Sequence, residues 1–288
     1  MEPVHVVECP RDALQGWGKP VATEVKVAYY KALMRVGFGT LDFGSFVSPR
    51  HVPQMADTLE VIRRLDAENA WGDGTRRLVI VVNARGAEAA CACESVDDIG
   101  FPLSLSETFS LRNAGMGRDA AWGELDRVKA ACEGAGKRLV VYLSMGFGNP
   151  YGDPWSLDLL SEWTHVCIQR VCPSVISWSD TLGSATHDLL EEAFRLIRPS
   201  GWDGALGAHL HAVPSEAEEK VEATLRGGCR RIDAAMGGIG GCPFASDALV
   251  GNIATETLRH VLAQRGGWVP RSDQAWEDAG RAARNVFN

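Results

Sequence analysis

Segments typical of buried β-strands alternate with helical segments along almost the entire chain. One of them, 78–82, is a continuous run of β-branched and other apolar residues, which is typical of a parallel strand covered on both faces. The segment 138–143 is also a predicted strand. The other predicted strands are 5–8, 40–43, 101–105, 175–178, 206–211 and 231–235. The predicted helices between and after them are 23–36, 55–65, 86–93, 122–135, 187–197, 215–226 and 247–263.

Strand and helix segments that alternate without a break in composition predict an α/β fold, specifically a (β/α)8 TIM barrel. A barrel of this kind is typically about 250 residues long, and the chain has 288. We therefore predict a TIM-barrel catalytic domain over 1–265. Residues 266–288 are predicted to form a C-terminal helical extension packed on the barrel, with a helix at 274–286. An open, doubly wound sheet is the alternative architecture.

Charge and hydropathy exclude several classes of partner. The net charge is −8 and no run of lysines and arginines offsets it, so neither nucleic acid nor an anionic membrane is an expected partner. No apolar run approaches the roughly 20 residues that span a bilayer, and the N-terminus does not resemble a signal peptide. The eight cysteines are scattered, without a disulfide framework. We predict a cytoplasmic protein.

Polar residues concentrate where the predicted strands end, and in a TIM barrel these ends form the active-site face. Taken separately, such residues also serve as helix caps, and this alternative applies to Ser106 and Asp180 in particular. Taken together, they outline a polar cup. They are Arg11, Asp12, Asp42, Asn83, Ser106, Glu107, Tyr142, Ser144, Asp180, His209, His211, Cys242 and Asn252.

His209 and His211 lie two residues apart on a predicted strand, so both side chains point to one face. Two imidazoles at this spacing predict a pair of metal ligands, and the alternative is one buried and one exposed histidine. With Asp12 and Asn252 nearby, the mixed nitrogen and oxygen donors suit Mg²⁺, Mn²⁺, Co²⁺ or Zn²⁺. A bound ion would polarise a carbonyl or hydroxyl of the substrate.

Two further residues suggest roles in the chemistry. Arg11 precedes Asp12 and either stabilises a developing enolate oxygen or forms a structural ion pair. Cys242 follows a stretch, 237–241, in which four of the five residues are glycines. Such a loop can carry a thiol over the barrel mouth, where a nearby cation would lower the pKa of the thiol enough for proton transfer.

Several blocks of sequence resemble the 3-hydroxy-3-methylglutaryl-CoA lyases, within the DRE-TIM metallolyases. They occur in the family's order over nearly the whole chain. The blocks are 10–15, 45–57, 180–181, 209–211, 240–245 and 251–256.

The resemblance implies cleavage of hydroxymethylglutaryl-CoA to acetyl-CoA and acetoacetate with one Mg²⁺ or Mn²⁺ per chain. It implies a small-molecule acyl-CoA substrate, and we predict a homodimer. The implied metal ligands are Asp12, His209, His211 and Asn252. The implied catalytic residues are Arg11, Cys242, Asp180 and Asp42. The predicted substrate contacts are Gln15, Asn83, Tyr142, Ser144 and Thr181.

The chain departs from the family pattern in places. Ala212 replaces an expected aspartate, Val140 an expected arginine and Asn149 an expected cysteine, and Gly16 and Trp17 replace an Asn-Glu pair. The segment between Cys242 and Asn252 is also longer by a residue. These departures leave the acyl group and the CoA carrier open, so the substrate is not necessarily hydroxymethylglutaryl-CoA. The alternatives are a Claisen-type condensing enzyme, related to the citramalate and isopropylmalate synthases, and an inactive metal-binding barrel.

Overall fold

Eight parallel strands form the centre of the computed structural model, which describes residues 3–72, 74–241 and 250–288. Each strand pairs with its sequence neighbours, and β8 pairs with β1 in parallel, so the sheet closes on itself. The TIM barrel is therefore confirmed, and the open-sheet alternative is wrong. The strands are β1 His5–Glu8, β2 Thr40–Ser45, β3 Arg76–Ile80, β4 Asp98–Ser104, β5 Arg138–Ser144, β6 Val175–Asp180, β7 Ala205–Ala212 and β8 Arg231–Ala234.

Helices follow the strands and cover the outside of the barrel. Short 3-10 turns occur at Pro53–Met55 and Met236–Gly238. No helix within the described part of the chain is long and apolar enough to cross a membrane. The helices are α1 Pro10–Gln15, α2 Thr23–Val36, α3 Thr58–Ala67, α4 Ala84–Cys91, α5 Glu107–Ala114, α6 Arg118–Ala135, α7 Leu157–Val171, α8 His187–Leu196, α9 Pro214–Arg226, α10 Thr255–Gln264 and α11 Asp273–Val286.

The predicted helix at 247–263 is wrong at its beginning, because α10 starts at Thr255. Just before it, Gly251–Asn252 forms a short strand, β9, which pairs antiparallel with the end of β7. Residues 247–249 lie outside the described residues. The short helices α1 and α5 and the longer α7 were not predicted. Because β9 is extended, it stays paired with the end of β7 at the mouth of the barrel. A helix over the same residues could not form this pairing.

The interior of the barrel changes in character from its middle to its C-terminal end. An apolar band crosses the middle, formed by Leu78, Ile80, Val140, Tyr142 and Val175. Beyond this band, inward-facing positions carry buried polar groups on several strands, among them Asp42, His211 and Asp233. Side chains alternate along a strand, so adjacent strands place such residues in layers. The layered interior thus supports a polar site on an apolar floor.

Aromatic contacts attach the C-terminal extension to the barrel. Phe287 packs edge-on against Trp17 and Tyr29, with ring centroids 5.4 and 6.0 Å apart. Trp268 stacks on Phe38 at 5.2 Å. These rings bury large apolar surfaces, so the extension adds to the same hydrophobic core. A domain boundary at residue 265 stays a prediction.

Glu8, at the end of β1, is completely buried. Its carboxyl oxygens accept hydrogen bonds from the Met236 backbone N–H at 2.8 Å and from the Thr255 hydroxyl at 2.6 Å. Burial raises the pKa of Glu8 to about 8, because the charged form loses its hydration. The side chain therefore joins β1 to the segments on both sides of 242–249 and is mostly protonated at neutral pH.

This pKa predicts a pH dependence of stability. Folded Glu8 keeps its proton up to a pH of about 8, whereas the unfolded chain loses it near the ordinary value of 4.5. The unfolded state then binds fewer protons, so this group makes the parent less stable as pH rises between these values. Glu8→Gln should remove this pH dependence. Its free energy of unfolding should therefore rise relative to that of the parent by about 1.4 kcal/mol for each pH unit between these two pKa values. Urea unfolding at several pH values would measure it, and a constant difference between the two proteins would contradict it.

Candidate metal centre and active site

A cavity of about 200 Å³ opens at the C-terminal ends of the strands. Eight residues selected from the sequence line it, which shows that the strand ends converge. They are Arg11, Asp12, Gln15, Tyr142, Ser144, Thr181, His209 and His211.

Asp12, His209 and His211 form a candidate metal centre. Their potential ligand atoms all lie within 4.8 Å of one another. Asp12 lies in the first turn of α1, directly after β1, while the two histidines alternate along β7. A second candidate group, Cys9, His209 and Asp233, shares one of these histidines. In this second group Asp233 already accepts a hydrogen bond from His209.

Hydrogen bonds fix the orientation of both imidazoles. His209 donates from Nδ1 to Asp233 Oδ2 at 3.2 Å, and His211 donates from Nδ1 to the Thr181 carbonyl at 3.0 Å. Each ring therefore keeps a lone pair on Nε2, as metal-binding histidines do. The His211 Nε2 atom is buried and has no hydrogen-bond partner within the described ranges. A buried nitrogen without a partner beside a carboxylate is suited to ligate a cation.

The charge states of these groups also suit a metal. Burial and the neighbouring His209 lower the pKa of His211 to about 4, so His211 is neutral at physiological pH. Burial alone would raise the pKa of Asp12, but Arg11 and the two histidines outweigh it and lower the pKa. Asp12 is therefore a carboxylate. The residues present thus offer an anionic oxygen and a neutral imidazole, which are the forms that bind cations.

Asn252 reaches this centre from β9, where it pairs with His211. Its Nδ2 donates to Asp12 Oδ2 at 2.8 Å and to the Ile239 carbonyl at 2.9 Å. The side-chain amide therefore lies beside Asp12 on the side of the glycine-rich stretch. Its assignment as a fourth ligand stays a prediction.

Arg11 is held in a network of acceptors. Its Nε lies 3.1 Å from both carboxylate oxygens of Asp42, and Nη2 donates to Asp42 Oδ2 at 2.6 Å. Its Nη1 donates to Asp12 Oδ1 at 3.0 Å and to Gln15 Oε1 at 2.7 Å. Burial opposes the charge of Arg11, but Asp42 and Asp12 outweigh that effect and raise its pKa. Arg11 is thus a permanent cation, fixed at the cavity wall by a planar, forked pairing.

Asp180 and Asn83 are not among the residues that line the cavity. The Asp180 carboxylate accepts hydrogen bonds from the backbone N–H groups of Ser184 and Ala185, both at 3.0 Å. It thereby supports the loop that begins at Thr181. Asn83 accepts a bond from Gly86 N at 2.9 Å and caps α4. Their predicted roles toward the substrate stay predictions, and Cys242 lies outside the described residues.

Other residues of the cavity were not selected from the sequence. Ser45 and His51 line it, and both lie within the 45–57 block. Ser179 also lines it and lies on β6, two residues before Thr181. Asp233 holds His209, although nothing in the local sequence distinguishes it from a cap. Alternation along β6 would have indicated Ser179. The pairing of Asp233 with His209 could not be predicted in this way, because it depends on the register between β7 and β8.

Comparison with known proteins places the chain among established enzymes. The family model described as HMGL-like matches residues 6–277. The hydroxymethylglutaryl-CoA lyase of Pseudomonas mevalonii is 32% identical over 265 residues, which cover 91% of this chain and 85% of that protein. The cytoplasmic 3-hydroxy-3-methylglutaryl-CoA lyase of Rattus norvegicus is 32% identical over 270 residues, covering 92% and 76%.

Solved structures agree with these relatives. The HMG-CoA lyase of Brucella melitensis superposes with a TM-score of 0.87 and 29% identity, covering 100% of this chain and 99% of that one. The HMG-CoA lyase of Acinetobacter baumannii, in complex with coenzyme A and 3-methylmalate, gives 0.86 and 26%, covering 99% and 91%. The chain therefore belongs to the HMGL-like family, and it is a lyase.

Proposed function

We propose that this enzyme is a divalent-metal-dependent carbon–carbon lyase that cleaves 3-hydroxy-3-methylglutaryl-CoA to acetyl-CoA and acetoacetate. The observation that carries the proposal is the buried Nε2 of His211, which has no hydrogen-bond partner among the described residues and is grouped with Asp12 and His209 at the mouth of the barrel. The hydroxymethylglutaryl-CoA lyases among its relatives support the reaction. The solved lyase with coenzyme A supports a CoA thioester as substrate.

Mg²⁺ or Mn²⁺ is the proposed ion, held by Asp12, His209, His211 and Asn252. A carboxylate, an amide and two imidazoles are donors that both ions accept. When bound, the ion supplies Lewis acidity toward two substrate oxygens. The predicted homodimer and the cytoplasmic location stay predictions.

The reaction requires that charge move from one end of the substrate to the other. The 3-hydroxyl loses its proton, the C2–C3 bond breaks, C3 becomes the ketone of acetoacetate, and the electron pair passes to the thioester as an enolate. Protonation at C2 then gives acetyl-CoA. Arg11 is the cation we assign to stabilise the developing oxyanion, because Asp42 and Gln15 fix its guanidinium at the cavity wall before the reaction starts.

The cavity also suits the acyl part of the substrate. Polar residues, among them Asp12 and the two histidines, form part of its lining, and several apolar side chains form the rest. A methyl-bearing acyl chain would pack on this apolar part. The apolar residues are Val47, Val52, Ile80, Val82, Pro102 and Phe109.

The direct test is to incubate purified protein with hydroxymethylglutaryl-CoA and Mg²⁺ or Mn²⁺ and to measure acetyl-CoA. We expect turnover that a chelator abolishes and that fresh metal restores. A panel of other 3-hydroxyacyl-CoA thioesters tests the acyl group, for which Val140 and Ala212 depart from the family pattern. Faster turnover of an analogue would replace the acyl group in the proposal, and failure of the whole panel would reject the lyase activity.

Metal binding has its own prediction. Mn²⁺ titration followed by electron paramagnetic resonance should give one ion per chain. His211→Ala should weaken binding more than about 100-fold, which exceeds the effect of losing an outer-sphere partner. His165→Ala is the control, because His165 is exposed on α7 and bonds only to Ser161. Equal affinity of His211→Ala and the parent would show that the ion binds elsewhere.

Proton transfer to the enolate is assigned to Cys242, following the sequence prediction. General acid–base catalysis contributes about 10²- to 10⁴-fold, so Cys242→Ala should lower kcat by about that factor while leaving Mn²⁺ affinity unchanged. Cys242→Ser should restore little, because a hydroxyl is a far weaker acid than a thiol. Full turnover by Cys242→Ala would move the search for the proton donor to Asp180 or Asp42.

A further inference from the structure

Arg231 is a buried arginine in the barrel interior that the proposed reaction does not use. It lies at the start of β8, is 4% exposed and is absent from the lining of the active-site cavity. Burying a guanidinium is costly unless acceptors surround it, so its partners indicate what it does. Asp233, two residues further along the same strand, points to the same side.

Asp233 connects Arg231 to the candidate metal centre. Arg231 Nη1 donates to Asp233 Oδ1 at 2.7 Å. The other oxygen, Oδ2, accepts the hydrogen bond from His209 Nδ1 at 3.2 Å. Asp233 is 2% exposed, so no solvent competes for its carboxylate. The two oxygens are thus divided between a permanent cation and a candidate metal ligand.

Tyr142 closes this chain of contacts into a ring. Arg231 Nη2 donates to the Tyr142 hydroxyl at 3.4 Å, and the guanidinium carbon lies 5.9 Å from the centre of the Tyr142 ring. Tyr142 in turn meets His209 edge-on, with ring centroids 5.8 Å apart. His209 is therefore oriented by Asp233 through a hydrogen bond and by Tyr142 through packing. Arg231 contacts both of these groups.

The sequence of β7 leaves space for this arginine. Gly207 precedes His209 by two residues, so a side chain there would point to the same face. A Cβ atom at Gly207 would lie 3.0 Å from Arg231 Nη1 and 3.2 Å from its Cδ. A larger residue there would require the arginine side chain to shift by a few tenths of an ångström. The absence of a side chain at residue 207 is therefore part of the arrangement that positions His209.

We propose that Arg231 is a positioning residue for the metal centre. It anchors Asp233, and Asp233 holds His209 with its proton on Nδ1 and its Nε2 free to bind the ion. The inference rests on the proposed function, because it assumes that His209 is a metal ligand. Without Arg231, Asp233 would be a buried carboxylate lacking its cation, and it would no longer be confined to the position that orients the imidazole.

The test measures the Mn²⁺ dissociation constant of each variant by electron paramagnetic resonance, with thermal unfolding as a check on folding. Loss of an outer-sphere partner typically weakens metal binding about 10- to 100-fold, and we expect this for Arg231→Gln. Arg231→Lys keeps the charge and should recover part of the affinity. Gly207→Ala keeps the arginine but displaces it, so it should weaken binding in the same direction. Arg230→Gln is the matched control, because Arg230 bonds to the carbonyls of Leu225 and Cys229 instead.

A double variant separates positioning from simple charge neutralisation. Arg231→Met combined with Asp233→Leu removes both charges and fills the space with apolar groups, which proteins often tolerate. If the pair only balances charge, this variant should bind Mn²⁺ like the parent, and that result would overturn the proposal. Weak binding by this folded variant would support it.

Two further outcomes decide the matter. Parent-like affinity of Arg231→Gln would show that Arg231 does not act on His209. Failure of the parent to bind Mn²⁺ would reject the metal centre itself, and the positioning role with it.

Discussion

The parallel pairing of β8 with β1 is the constraint on which the site depends. It closes the barrel by joining its first strand to its last, with Val7 opposite Asp233. As a consequence, Asp12, which follows β1, comes beside residues from the last part of the chain. Its carboxylate accepts a hydrogen bond from Asn252, 240 residues away. An open sheet of the same elements would leave these groups at opposite edges, and no metal centre would form.

Closure also lets protein groups hold the proposed donors of the candidate metal centre. Asp12 is bound by Arg11 and Asn252, His209 by Asp233, and His211 by the Thr181 carbonyl. These bonds are made before any ion arrives, so binding costs little rearrangement. The buried ion pairs that accomplish this contribute little to stability, since desolvation offsets their attraction. Their value lies in fixed orientation.

Much of this architecture could be predicted from the sequence because it depends on local patterns. Buried apolar runs predict β3 and β5, and alternation places His209 and His211 on one face. The sequence predicts Ser106 either as a site residue or as a helix cap, and the cap is what the structure has. Its hydroxyl accepts a hydrogen bond from Phe109 N at the start of α5. Local sequence is informative wherever the partner lies within a few residues.

The remaining features depend on partners that are distant in sequence. The residues of β9 resemble the start of a helix, and only the edge of β7 makes them extended. Asp180 is a residue type that often serves as a catalytic acid. Its two carboxylate oxygens nevertheless accept hydrogen bonds from two backbone N–H groups of the loop that follows it. The contact of Arg231 with Tyr142 joins β8 to β5 across the interior. Contacts between distant strands such as these depend on the register of the closed sheet, which local sequence does not reveal.

The fixing of both ends of 242–249 has a consequence for how enzymes of this kind diverge. Glu8 binds Met236 on one side of the segment and Thr255 on the other, and β9 fixes Asn252 against β7. The two ends meet, since a Cβ on Gly241 would lie 2.7 Å from the Val250 carbonyl. The chain therefore enters and leaves 242–249 at neighbouring points. The length of this segment can therefore change over evolution, or by exchange between relatives, while Cys242 is retained and the groups of the candidate metal centre keep their places.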